Sequence, residues 1–284
     1  MDDREYSLLE HLNELRQRIM RAALGVFPIS LATFAVSKDI LEILKQPMLQ
    51  AMREFPNAKA EFVVIKPMEY IIAQLKAAVV TAIFLAMPWI LYQLWLFIAP
   101  GLYAKEKRYV MGFVWAGSLF FVAGGVFAYF LVFPGIFRFD IEQTLAANVA
   151  QTYSVAEHFS MTLKLLLAFG LAFEAPVIVF ILSVAGIVNP ATLGRYRSYV
   201  FVAAFVVGAI LTPPDILSQI LLATPLVILF ELGLWAARAA LWFQDRNKPA
   251  EGSVSGVRAG DSPSTTAAVA SESPPGDPPK GPES

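Results

Sequence analysis

The sequence predicts an all-α fold: a polytopic integral membrane protein with six transmembrane helices, the fifth and sixth of them short. Three observations carry this. Charged residues make up only 16% of the 284 residues and hydrophobic ones 57%, whereas soluble domains are about 25% charged. Apolar runs recur at a length suited to a bilayer, since about 20 such residues cross about 30 Å of hydrocarbon. Basic residues cluster at alternate connections. Lys+Arg number 22 and Asp+Glu 23, so no overall basicity points to nucleic acid. Cys is absent, which excludes disulfides, thiol nucleophiles and thiolate metal sites.

The elements follow in chain order. Residues 1–21 read as a cytoplasmic amphipathic helix, in which Ser7 and Glu10 fit a capping box and Leu8, Leu12, Leu15 and Ile19 line one face. The start is acidic and no small-residue cleavage site follows a short apolar core, which reads as an uncleaved anchor. The membrane domain covers 22–238. Its first span is 22–36, with Pro28. Its second, 70–98, holds Pro88 and is expected to kink. Spans three and four are 110–133 and 159–188. From 198 to 237 there is no Lys, Arg or His, and Thr212, Pro213, Pro214 and Asp215 interrupt the run as a turn. The first arm of the resulting hairpin, 199–211, is ~20 Å long at 1.5 Å per residue, which implies locally thinned lipid. The tail is taken as 239–284 and is expected to be disordered in the cytoplasm, because from 247 to 284 it is rich in Pro, Ser, Gly and Ala.

Orientation follows the basic residues. Arg16, Arg18 and Arg21, then Lys105, Lys107 and Arg108, then Arg195 and Arg197, and finally Arg238, Arg246 and Lys248 fall on one side, so both termini are placed in the cytoplasm. The connection 37–69 breaks the rule with Lys38, Lys45, Arg53, Lys59 and Lys66. It also carries Asp39, Glu42, Glu54 and Glu61, and its apolar Ile40, Leu41, Leu44, Met48 and Met52 recur at helical spacing. It reads as an amphipathic cap on the outer surface.

Candidate residues are weighed against plain alternatives. Glu174 lies within an apolar run, where an acid costs about 2.5–3.5 kcal/mol on insertion scales and usually marks function; the alternative is a protonated, structural carboxyl. Glu14 sits where the N-terminal helix meets the membrane, yet Glu10, Glu14 and Arg18 also suit an ordinary solvated face. Glu106 is the acid of a basic inner loop, or simply its charge compensation. Gln219 and Glu231 are weaker candidates; Glu231 and Arg238 share a face and can anchor a helix end. Asp215 suits a turn or cap, and Lys76 and Lys164 can snorkel. His11 and His158 are isolated and make no metal site. Trp89, Trp95 and Trp115 read as lipid-facing or interfacial. Gly112 with Ala116, and Ala204 with Gly208, allow close helix contacts. No metalloprotease, serine-hydrolase or phosphate-loop motif is present, nor paired membrane aspartates. Neither an enzyme nor a cofactor is expected.

The order of motifs resembles the TatC family, the polytopic receptor subunit of the twin-arginine protein translocase. The matching segments are 11–18 (HLNELRQR), 92–103 (YQLWLFIAPGLY), 105–108 (KEKR), 127–130 (FAYF), 168–176 (AFGLAFEAP) and 211–215 (LTPPD) with Ser218 and Gln219. The resemblance implies transport of folded proteins, driven by the proton motive force, with twin-arginine signal peptides and single-span TatA/TatB-type subunits as partners in an oligomeric complex of the cell inner membrane. It assigns Glu14, Arg16, Phe97, Pro100, Leu102, Tyr103 and Glu106 to signal-peptide binding. It makes Glu174 a mid-membrane acid facing a concave pocket, Asp215 and Gln219 partner contacts, and Pro47 the proline of the first outer loop. Fixed carboxylates suit a pair of guanidiniums, which present a planar fork of donors. A proton-coupled transporter relaying through Glu174 is the rival reading, but such proteins are usually built from repeated halves, and none is visible. An inert scaffold is the third, in which Glu14 and Glu106 are replaceable.

Overall fold

A computed structural model of the chain describes residues 3–56, 61–98, 110–147, 152–184, 186, 188–211 and 216–246. Of the expected disordered tail 239–284, residues 239–246 are helical instead; the remainder from 247, the 212–215 turn and the 99–109 connection lie outside the described residues. Helix α1 (Asp3–Ala35) is one continuous helix of 33 residues. It unites the amphipathic segment with the first span, because no Gly or Pro falls between Ser7 and Leu24 to end it. Helix α2 (Ser37–Glu54) is the amphipathic cap, burying Leu41, Leu44, Met48 and Ala51. Strand β1 (Glu61–Val63) follows, then α3 (Glu69–Ile98).

Helix α4 (Val110–Phe127) runs through a π-helical turn (Ala128–Val132) into α5 (Phe133–Ala146). The third span therefore does not stop at residue 133. Pro134 falls in the first turn of α5, where the missing N–H would have had no intrahelical partner, so the helix carries on. Strand β2 (Thr152–Ser154) pairs in parallel with β1, Phe62 opposite Tyr153, a small sheet that an all-α reading does not anticipate. Then come α6 (Val155–Val184), α7 (Pro190–Arg195), α8 (Arg197–Leu211) and α9 (Ile216–Arg246). Asn189 caps α7, its side chain accepting from the Ala191 N–H at 2.8 Å.

Among the described residues, five helices are long and apolar enough to cross a membrane: Glu10–Ala35, Glu69–Phe97, Met111–Ala146, Val155–Ser183 and Leu222–Trp242. The apolar α8, 15 residues long, is the sixth and is short as expected. The last helix corrects the expectation: α9 has 31 residues, because helical structure continues past the apolar run through Arg238 to Arg246, whose charged ends can leave the hydrocarbon.

Helix α1 lies antiparallel along α3. Thr33 Oγ1 donates to Ala78 O at 2.8 Å, and Trp89 Nε1 donates to Arg21 O at 3.1 Å. Helix α6 packs between α4 and α9 through glycines. A Cβ on Gly124 would stand 2.4 Å from Phe169 O, and one on Gly233 2.7 Å from Pro176 Cα. Gly112, expected at a close approach, faces open space. Trp95 is not interfacial: it is 6% exposed and stacks on Phe113 with centroids 5.6 Å apart, since it falls on the α3 face turned toward α4. Trp89 and Trp115 are exposed.

Candidate functional site

Glu14 stands on α1 one turn beyond His11, and these positions share a face. The His11 ring stacks on Phe97 near the end of α3, with centroids 4.4 Å apart and planes at 21°. The structure thus brings the sequence-predicted segment 11–18 together with residues 92–98 of the second one at one end of the α1–α3 pair. Glu14 Oε1 pairs with Arg18 Nη2 at 3.2 Å, and the Glu14 side chain is 34% exposed. Arg16 is exposed, but two residues on it points about 200° round the helix from Glu14, so it is not part of the same cluster. Phe97 is half-buried. Pro100, Leu102, Tyr103 and Glu106 lie outside the described residues, as does Asp215.

Within the apolar helix α6, Glu174 is 5% exposed and its Oε1 has no hydrogen-bond partner among the described residues. The expectation of a carboxyl facing a concave wet pocket is corrected in one respect: the group is enclosed by protein. Gly117 of α4 makes room for it, since a Cβ there would stand 3.0 Å from Glu174 Oε2 and 2.7 Å from Leu91 Cδ1. The nearby cleft, about 410 Å³, is lined by Phe113, Phe120, Pro176, Val177 and Phe180 among others, not by Glu174.

Two further expectations are redirected by packing. Gln219 Nε2 donates to Phe205 O at 2.7 Å, and its side chain lies against Gly208; its amide ties α9 to α8 rather than standing open. Glu231 pairs with Arg197 at 2.8 Å, not with Arg238, because the hairpin returns α9 alongside the start of α8. Pro47 is buried in the middle of α2. His158 is buried among the rings of Phe62, Phe137 and Phe159. Among the described residues no group of three His, Asp or Glu side chains could hold a metal.

Sequence reasoning missed Glu69, which is 3% exposed. Its Oε2 accepts from the N–H groups of Ile65 (2.8 Å) and Lys66 (2.9 Å), and its Oε1 from Ser154 Oγ (2.6 Å) and the Ala156 N–H. One carboxylate thereby fastens the β1–α3 junction to the β2–α6 junction. Pro67 just before it, with an acid opening a helix, was the only local signal. Above it, Tyr129 in the π-helical turn donates to Ile43 O at 2.9 Å, and Arg138 pairs with Glu54, holding the cap α2 down.

With this geometry in hand, comparison with known proteins is informative. The family described as Sec-independent protein translocase protein (TatC) matches residues 10–225. The Sec-independent protein translocase protein TatC of Azotobacter chroococcum is 41% identical over 233 residues, covering 82% of this chain and 89% of that protein. The TatC of Halothiobacillus neapolitanus is 37% identical over 230 residues; the match takes in 81% of this chain but only 62% of that relative's length. A crystal structure of the twin arginine translocase receptor TatC superposes with a TM-score of 0.73 at 36% identity, covering 81% of this chain and 99% of that one. The chain is a multi-pass membrane protein and belongs to the TatC family of Sec-independent protein translocase proteins.

Proposed function

We propose that this chain is the receptor core of a twin-arginine translocase, binding the paired arginines of signal peptides on folded precursors. Glu14 and Glu106 are the anionic groups that receive the guanidiniums. Phe97, Pro100, Leu102 and Tyr103 shape the surface beside them. The reading places both termini in the cytoplasm and the chain in the cell inner membrane. Single-span subunits of the TatA/TatB type assemble with it through the α8–α9 hairpin, near Asp215 and Gln219. Transport is driven by the proton motive force, with no catalytic residue and no cofactor. Residues 1–21 and 239–284 are its cytoplasmic extensions.

The observation that supports this best is the state of Glu14. It remains partly exposed and holds a single, loosely screened cation, beside the His11–Phe97 stack that leads into the segment bearing Glu106. A partly exposed i,i+4 pair of this kind is worth on the order of 1 kcal/mol, so an incoming guanidinium can displace Arg18 at little cost.

The test is equilibrium binding of a twin-arginine signal peptide to the purified chain, beside a twin-lysine peptide. Binding should weaken at least about tenfold in the lysine peptide and in Glu14→Ala or Glu106→Ala, given ~1.5–3 kcal/mol for hydrogen bonds to charged groups. Equal binding in all of these would defeat the reading.

A further inference from the structure

The seam between α3 and α6 carries two lysines that form no ion pair among the described residues. Lys76 on α3 is exposed, and its Nζ donates to Ser160 Oγ on α6 at 3.4 Å. Lys164 is also exposed and follows Ser160 by four residues, so it shares that face one turn away. Arg18–Glu14, Arg138–Glu54 and Arg197–Glu231 are ion pairs among the described residues, and none involves either lysine. Glu157, the nearest acid on α6, is exposed and pairs with neither lysine.

Depth gives the pair its meaning. The spans Glu69–Phe97 and Val155–Ser183 are each 29 residues long, about 43 Å at 1.5 Å per residue, against about 30 Å of hydrocarbon. The surplus falls at the cap end, because the Glu69 carboxylate and the β1–β2 pair belong outside hydrocarbon. Lys76 and Lys164 lie seven and nine residues into their spans, roughly 10 and 13 Å along the helices, at the hydrocarbon boundary. Both helices start at the cap end, and helical side chains lean toward the helix N-terminus. Both ammonium groups are therefore carried toward the headgroups of the same leaflet.

A single lysine near a helix end needs only water. Two on adjacent helices, one donating to the Ser160 hydroxyl and the other one turn along the same face beside lipid, bring like charges near each other where the dielectric is low, and an anion relieves that repulsion. Ile72 and Val79 lie one turn either side of Lys76, and Leu75 adjoins it; all three are exposed, as is Leu171 below Lys164. These apolar side chains suit acyl chains rather than a soluble ion.

We propose that Lys76, Lys164 and the Ser160 hydroxyl form a binding site for the phosphate of an anionic phospholipid in the cap-side leaflet. The ammonium groups donate to phosphate oxygens, and Ser160 Oγ accepts from Lys76 while donating its own proton to the phosphate.

Native mass spectrometry of the full chain in neutral detergent tests this, using phosphatidylglycerol against phosphatidylcholine with the same acyl chains. The wild type should prefer phosphatidylglycerol by about fivefold per lysine. Lys76→Gln/Lys164→Gln should bind the two lipids equally, while Lys38→Gln/Lys66→Gln, which removes the same charge elsewhere on the cap side, should keep the preference. Lys164→Gln alone, which breaks no hydrogen bond among the described residues, should lose about fivefold without loss of fold. No preference in the wild type, or an undiminished one in the Lys164→Gln and double variants, would overturn the site.

Discussion

The two ends of this molecule use glutamate in opposite ways. At the cap end, Glu69 is buried, and four donors from two distant junctions converge on it. At the other end, Glu14 is partly exposed and holds one arginine of its own helix at 3.2 Å. The first carboxylate has no capacity left for a ligand and every reason to hold the fold. The second contributes little to the fold and can exchange its partner. Between them Glu174 is enclosed like Glu69 but lacks a partner for Oε1 among the described residues. Residue type alone does not separate a structural acid from a binding one; the number and origin of the donors around it does.

That contrast can be broken by experiment. The largest effect is expected from Glu69→Ala, which strands three backbone N–H groups and a hydroxyl in a buried junction. Little folded protein should survive detergent extraction, and the cap should become open to protease; a variant as stable as wild type would deny Glu69 its fastening role. Next is Gly117→Leu, which intrudes on Glu174 and Leu91. Such overpacking typically costs about 1–3 kcal/mol, read as a lowered thermal midpoint. Glu14→Ala should leave folding stability within about 1 kcal/mol of wild type while weakening twin-arginine peptide binding. A large stability loss there would erase the distinction between the ends. The smallest change is expected from Arg18→Gln, which frees the Glu14 carboxylate and should tighten peptide binding by no more than about fivefold, the measure of an exposed ion pair. Weaker binding would show that Arg18 positions Glu14 instead of competing for it.

Much of the architecture was legible in the sequence, because the bilayer imposes it locally. A run of about 20 apolar residues must become a helix in hydrocarbon, where every backbone group needs an internal partner. So the crossing helices, the short α8 and the amphipathic cap could all be read from composition and period, and the family from short motifs in fixed order. Helix ends were read less well. The α1 merger, the run through Pro134 and the full length of α9 depend on the absence of a stop signal, and apolar counting does not register that.

What only the tertiary structure decided are the relations between residues far apart in the chain. Ser154 and Ala156 reach Glu69 across more than 80 residues, His11 meets Phe97, Gly117 lies over Glu174, and Gln219 turns back to Phe205. The physical reason is that hydropathy places a residue in or out of lipid but not on one side of a helix bundle. Whether a polar group inside is satisfied, enclosed or available is settled by which neighbouring helix faces it, and that is a property of packing.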